Sequence, residues 1–262
     1  MFVRQERSIG EFISFYPVVS IIVILNILIW LLMYIIPNPL GDIIRFVGIG
    51  HNISVLHGEY WRLVTPIFLH AQFFSHVAFN SFALILFGPA LEQMLGKWKF
   101  ITAYLAIGIA GNVGTFMIEP TSMIPHLGAS GSIYGLFGIY IFMVYLRKNL
   151  IDGASANIVQ VIFIIGLIMT FLRPGINIAA HIFGFIGGFA VAPIFLKNVR
   201  PFSMERNYAK RRARVTDGDG VQFDPQRWQK KRYIPSHIRQ RIFWVIIGGL
   251  VLLGLIGSYY AR

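Results

Sequence analysis

The chain has 262 residues, no cysteine and a net charge of +12; 56% of it is hydrophobic, only 13% is charged, and its mean hydropathy is +0.65. Such values lie outside the soluble range and predict an all-α polytopic membrane protein. They exclude a disulfide framework, a thiol nucleophile and a cysteine metal site. The basic surplus invites a nucleic-acid reading. The Lys and Arg residues instead flank apolar runs, which is how membrane topology is encoded, so the expected surroundings are a lipid bilayer and no nucleic acid is expected as a partner.

Residues 1–15 are read as a cytosolic N-terminal segment. The uncharged run 17–36 follows, with Trp30 and Tyr34 toward its outer end. It is too long for a signal-peptide core and lacks a small-residue cleavage site, so it is a retained span. Residues 37–70 mix Phe46, Trp61 and Leu63 with Arg45 and Arg62, the composition of a half-buried loop at the membrane surface. Further spans are expected at 73–95, 100–118, 127–146, 154–172 and 174–196. A basic cytosolic linker, 197–241, then leads to a seventh helix at 242–262. With the N-terminus inside, nineteen Lys and Arg residues fall on the cytoplasmic side and only Arg45, Arg62, Arg173 and Arg262 outside. That asymmetry predicts a cytoplasmic N-terminus and an outer C-terminus. The linker is expected to hold topology and touch anionic lipid.

Ionisable groups within a span are expensive and point to function. Here His76 lies near the start of the second span and His181 within the sixth, while Ser130 opens the fourth. These three spans all enter from the outer face. At about 1.5 Å of rise per residue, the three side chains fall within roughly 10 Å of one depth, in the outer half of the bilayer. His76 and Asn80 share a helix face, as do Ser130 and Tyr134. Gly131, Gly135 and Gly138 form a small-residue stripe on the fourth span, and Gly184 with Gly188 forms another on the sixth. Facing stripes of this kind let helices approach closely and bring Ser130 toward His181.

That arrangement suits nucleophilic catalysis: Ser130 as nucleophile and His181 as the base that takes its proton and returns it to a leaving amine. Neither helix carries an Asp or Glu to orient the imidazole. The unit is therefore a dyad, with Tyr134 the candidate to hold the ring by stacking. His76, Asn80 and the Ser130 backbone N–H at a helix N-terminus are the candidate donors to an oxyanion. Ser132 starts as an equal candidate nucleophile and is read as structural once depth and spacing are applied.

Other chemistries fit less well. No H-E-x-x-H pair is present for a zinc protease, and no two spans carry aspartates. Asp217-Gly218-Asp219-Gly220 in the linker reads as turns. A metal site from His70, His76, His126 and His181 would lack a carboxylate to support it. No metal or cofactor is expected. A transporter would show inverted repeats or broken helices, and neither is evident.

The motifs Gly128-Ala129-Ser130-Gly131 with Tyr134, His76-x-x-x-Asn80, Ala180-His181-x-x-Gly184-x-x-x-Gly188 and Glu59-Tyr60-Trp61-Arg62 resemble the rhomboid family of intramembrane serine proteases. The match runs over about residues 16–196 in the family's order. The resemblance implies a six-helix catalytic core that cleaves single- or multi-span membrane proteins, with Ser130 as nucleophile, His181 as base, and His76, Asn80 and the Ser130 amide as oxyanion hole. The seventh span resembles the form with one helix added after the core. Many members carry a histidine shortly before the His-x-x-x-Asn motif; here His70 lies six residues upstream, Ala71 holds the expected spacing, and His70 is assigned no role. A catalytically inactive, helix-binding relative is the alternative, although such proteins are expected to lose the serine or histidine. A bacterial plasma membrane is the expected location.

Overall fold

The computed structural model describes residues 2, 4, 6–209 and 241. The seventh span and most of the basic linker lie outside the described residues. By contacts the chain divides into two units, Met1–Gln72 with His76–Phe202, and Phe73–Ser75 with Ser203–Arg262. The candidate site residues belong to the first.

Among the described residues, five helices are long and apolar enough to cross a membrane: α2 (Pro17–Tyr34), α5 (Phe74–Leu95), α6 (Lys97–Ile118), α8 (Gly153–Leu172) and α9 (Ile178–Phe195). A sixth apolar helix, α7 (Ser130–Leu146), has 17 residues, near the lower limit of about 17 residues for a span. Ahead of them, α1 (Ile9–Phe15) precedes α2, and α3 (Pro39–Gly48) and α4 (Asn52–Leu56) lie in the loop after it. The membrane protein is thus all-helical in its named elements, as its composition predicts.

The helix ends are capped across the fold. Ser8 accepts from Glu11 N–H at the start of α1. At the start of α2, the buried Glu92 carboxylate of α5 accepts from Val18 N–H at 3.0 Å and Val19 N–H at 2.8 Å. A negative group there satisfies orphan donors and meets the positive end of the helix dipole, an effect of about 0.3–2 kcal/mol.

Within α5, Pro89 has no N–H to offer the Ile85 carbonyl four residues back. The guanidinium of Arg4 donates to the carbonyls of Ile85 and Leu86, both at 2.8 Å. Tyr140 Oη of α7 donates to Phe87 O at 2.6 Å. Side-chain donors therefore serve the run of backbone that the proline disturbs. Phe2 packs edge-on against Phe87 and Tyr140, so the N-terminal segment, read from sequence as merely cytosolic, contributes side chains to the helical core.

The half-buried loop is organised by Arg62, itself 5% exposed. It pairs with Glu59 at 2.5 Å and donates to the carbonyls of Ile49 and Phe46. Trp61 Nε1 adds a bond to Val47 O at 3.1 Å. Two 3-10 turns, Tyr60–Leu63 and Thr65–Phe68, follow, and Asn112 of α6 ties the first of them down through Leu63 O. An antiparallel bridge joins Gly50 to His126. Burial, with the charge of His51, pushes the His126 imidazole down to about 4.

Helix α7 is the centre of the bundle. It packs most extensively on α9, with α6 packing on both. The α7–α9 seam is backbone on backbone: a Cβ on Gly184 would collide with the Gly131 carbonyl, and one on Gly188 with the Gly135 carbonyl. Only glycine permits this approach. Helix α8 packs more lightly, burying Ser155, Val159 and Thr170.

Candidate active site

The α7–α9 seam sets the site. Ser130 is the first residue of α7, and Asn177 caps α9 through Ala180 N–H at 2.9 Å. The sixth span thus begins as a helix at Ile178 rather than at 174, because Gly175, at φ +77°, makes a turn ahead of it. His181 consequently sits in the first turn of α9. Closer to the helix end, it matches the depth of Ser130 better than the longer span would allow. Ser130 Oγ and His181 Nε2 are 2.8 Å apart across 51 residues of sequence.

Tyr134 lies one turn below Ser130. Its ring stacks on the His181 imidazole, with centroids 4.0 Å apart and planes at 15°. His181 is 6% exposed and Tyr134 8%, so the imidazole faces protein on one side and the serine at its tip.

Ser130 Oγ and His76 Nε2 both lie close to the backbone of Gly128. Gly128 has φ +136°, a left-handed conformation that L side chains rarely adopt, and its N–H is anchored to Pro66 O at 2.9 Å. A Cβ at Gly128 would lie 2.9 Å from His76 Nε2 and 3.6 Å from Ser130 Oγ. A side chain at 128 would crowd His76, and its absence is what leaves a gap beside the two polar groups. His76 Nδ1 accepts from Ala71 N–H at 3.1 Å. In a neutral ring the proton then sits on Nε2, which points into the gap as a donor. The α7 N-terminus has no side-chain cap, so its first backbone N–H groups are also available donors. Asn80, on the face it shares with His76, donates one amide proton to His76 O at 2.8 Å.

Ser132 is turned away from this gap. Its hydroxyl donates to Tyr104 O at 3.0 Å in a fully buried position. His70 is fully buried, edge-on to His76 with ring centroids 5.2 Å apart. Burial and then the neighbouring His76 push the His70 imidazole down to about 3, so it stands as a neutral wall behind His76.

One residue that the sequence reading missed is Thr170 of α8. Its Oγ1 is 2.9 Å from His181 Nδ1, 2.7 Å from Tyr134 Oη and 2.9 Å from Gly166 O. No spacing rule relates α8 to α9, and a threonine in an apolar run gives no signal of its own. An unpartnered Nδ1 on a buried histidine was the available clue, because such a nitrogen needs a partner.

Comparison with known proteins places these features in a family. A rhomboid domain model matches residues 57–198. The chain is 43% identical over 192 residues to the "Putative rhomboid protease YdcA" of Bacillus subtilis (strain 168), covering 73% of this chain and 94% of that protein. It is 40% identical over 146 residues to "Rhomboid protease GluP" of the same organism, 55% of this chain but only 28% of that one. "Rhomboid-like protease 1" of Toxoplasma gondii is 32% identical over 168 residues, 62% of this chain and 56% of that protein. The chain belongs to the rhomboid family.

Proposed function

We propose that the protein is an intramembrane serine endopeptidase in which Ser130 and His181 form the catalytic dyad. The observation that carries this reading is the 2.8 Å contact between Ser130 Oγ and His181 Nε2, with His76 Nε2 close by across Gly128. Family membership and the names of the relatives support the same chemistry.

In the first step the Ser130 O–H bond breaks, its proton binds His181 Nε2, and Oγ forms a bond to the scissile carbonyl carbon. The carbonyl oxygen becomes an oxyanion in the gap at Gly128, where His76 Nε2–H, Asn80 and the Ser130 backbone N–H stabilise it. Collapse breaks the C–N bond, and His181 returns the proton to the leaving amine. Water then hydrolyses the acyl ester by the same route, with His181 again as base. Tyr134 holds the imidazole plane throughout by stacking. Neither metal nor cofactor enters these steps.

The substrate is a single- or multi-span membrane protein. A transmembrane helix hides its carbonyls in its own hydrogen bonds, so the segment to be cut must unwind near the site. The positive-inside bias supports a cytoplasmic N-terminus, which puts Ser130 near the outer face, an outer C-terminus after a seventh helix, and a bacterial plasma membrane as the location. Residues 16–196 form the catalytic core in this reading, and 197–241 a basic cytosolic linker.

Purified protein incubated with a single-span substrate tests it. Ser130→Ala is expected to abolish cleavage, while Ser132→Ala keeps it. Cuts mapped by mass spectrometry are expected near the outer boundary of the substrate span. Full activity in Ser130→Ala, or cuts at the cytosolic end, would overturn the assignment.

A further inference from the structure

The Thr170 hydroxyl has one proton and two lone pairs, and three polar groups surround it. Gly166 O, at 2.9 Å, can only accept. It therefore takes the hydroxyl proton, a back-bond to the fourth residue before it that threonine commonly makes within a helix. Both lone pairs are then left for donors. Tyr134 Oη, at 2.7 Å, fills one. His181 Nδ1, at 2.9 Å, fills the other only if that nitrogen carries hydrogen.

We propose that Thr170 is a positioning residue for the dyad: its hydroxyl oxygen accepts the Nδ1 proton of His181 and so keeps a bare Nε2 facing Ser130. The proposal rests on the dyad reading and deepens it. The opposite tautomer would place a proton on Nε2, aimed at the serine, and the base would be blocked. The productive one needs no rearrangement during reaction. When Nε2 gains the serine proton, Nδ1–H is already bonded to an oxygen whose own proton is held by Gly166 O.

Two further features fit. Thr170 is 1% exposed, and a carboxylate in that apolar position would carry the cost of a buried charge, whereas a neutral hydroxyl does not. Gly166 also makes room for the network, since a Cβ there would lie 2.9 Å from Tyr134 Oη. The orienting group thus comes from a third helix, α8, that contributes neither nucleophile nor base.

The test uses the full chain in lipid nanodiscs with a single-span substrate. Thr170→Val keeps the shape and removes the hydroxyl; Thr170→Ser keeps the hydroxyl. We expect valine to lower kcat roughly 10–100-fold with KM unchanged, the sign of an interaction that matters only as the reaction proceeds, and serine to stay within about threefold of the parent. Nitrogen-15 spectra of labelled histidine, with His181 assigned by comparison with His181→Gln, are expected to show a protonated Nδ1 and a bare Nε2 in the parent. Because that spectrum is read on the parent, it decides the matter even where valine upsets folding. Full kcat in Thr170→Val, equal losses with serine and valine, or a protonated Nε2 in the parent would overturn the proposal. Cleavage by Ser130→Ala would instead sink the dyad, and the role of Thr170 with it. An inactive Ser130→Ala beside a fully active Thr170→Val removes the role of Thr170 alone.

Discussion

Helices α9 and α8 both pack against α7 and both reach His181, one by carrying it and the other by touching it, yet they are built in opposite ways. The α9 contact is backbone against backbone, with glycines at Gly184 and Gly188 meeting the carbonyls of Gly131 and Gly135. The α8 contact is made by a few side chains, and Ile164, Ile165 and Ile168 remain more than half exposed. A seam without side chains has no rotamers to relax, so it fixes the distance between two helices. Ser130 and His181, the proposed nucleophile and base, lie on the fixed seam. The helix proposed only to orient the base is the one whose outer face carries exposed isoleucines.

The sharpest way to break this contrast is Gly184→Ala. Alanine favours a helix over glycine by about 1 kcal/mol, so a loose contact would gain stability. A tight seam instead predicts a loss of about 1–3 kcal/mol from overpacking, with most activity gone, read by thermal unfolding in one detergent. A raised melting temperature would mean that the seam is not closed. Next in size is a pH effect at the loops over the outer end of the seam. His70 and His126 are held at about 3 and about 4, below the ordinary value near 6.5. Between about pH 4 and 6.5 the unfolded chain therefore binds more protons than the folded one. Stability should rise with pH through that window and fall, by an amount on the order of 1–3 kcal/mol, on acidification below about 6.5. His126→Gln should flatten part of the dependence in melting curves taken from pH 4 to 8.

Smaller still is Tyr134→Phe, which keeps the ring on His181 but removes the donor to Thr170. One neutral hydrogen bond is worth about 0.5–1.5 kcal/mol, so steady-state assays should show kcat down about two- to tenfold. A loss as large as that of Ser130→Ala would mean that the phenol takes part in the chemistry. Smallest is Ile164→Ala on the exposed face of α8, expected to move stability by less than about 0.5 kcal/mol. A large loss there would show that α8 is held as tightly as α9.

Much of the site was legible because its parts are local or periodic. The pairs four residues apart, His76 with Asn80 and Ser130 with Tyr134, need only one helix to be read. The two glycine stripes announce a close contact without saying where it falls. Burial of Ser132 followed from the same helix geometry. Thr170 was not legible, since its role depends on how α8 is rotated against α7 and α9, and that rotation is set by packing over the whole helix. The start of α9 was misplaced by four residues, because the span was begun directly after Arg173, whereas Pro174 and Gly175 form a turn and Asn177 caps the helix that starts at Ile178. The packing of Phe2 and Arg4 had no signal either. A short segment before a first span reads as solvated unless one knows that a proline elsewhere has left carbonyls to be filled.

That last pairing has a consequence in time. Arg4 is among the N-terminal basic residues whose placement predicts a cytoplasmic start for the first span, and it is made well before α5. Its carbonyl partners lie 81 and 82 residues later. The clasp on the Ile85 and Leu86 carbonyls, just ahead of Pro89, can therefore close only once α5 has been made. Arg4 thus fastens the start of the chain to the second span, and only after that span is in place.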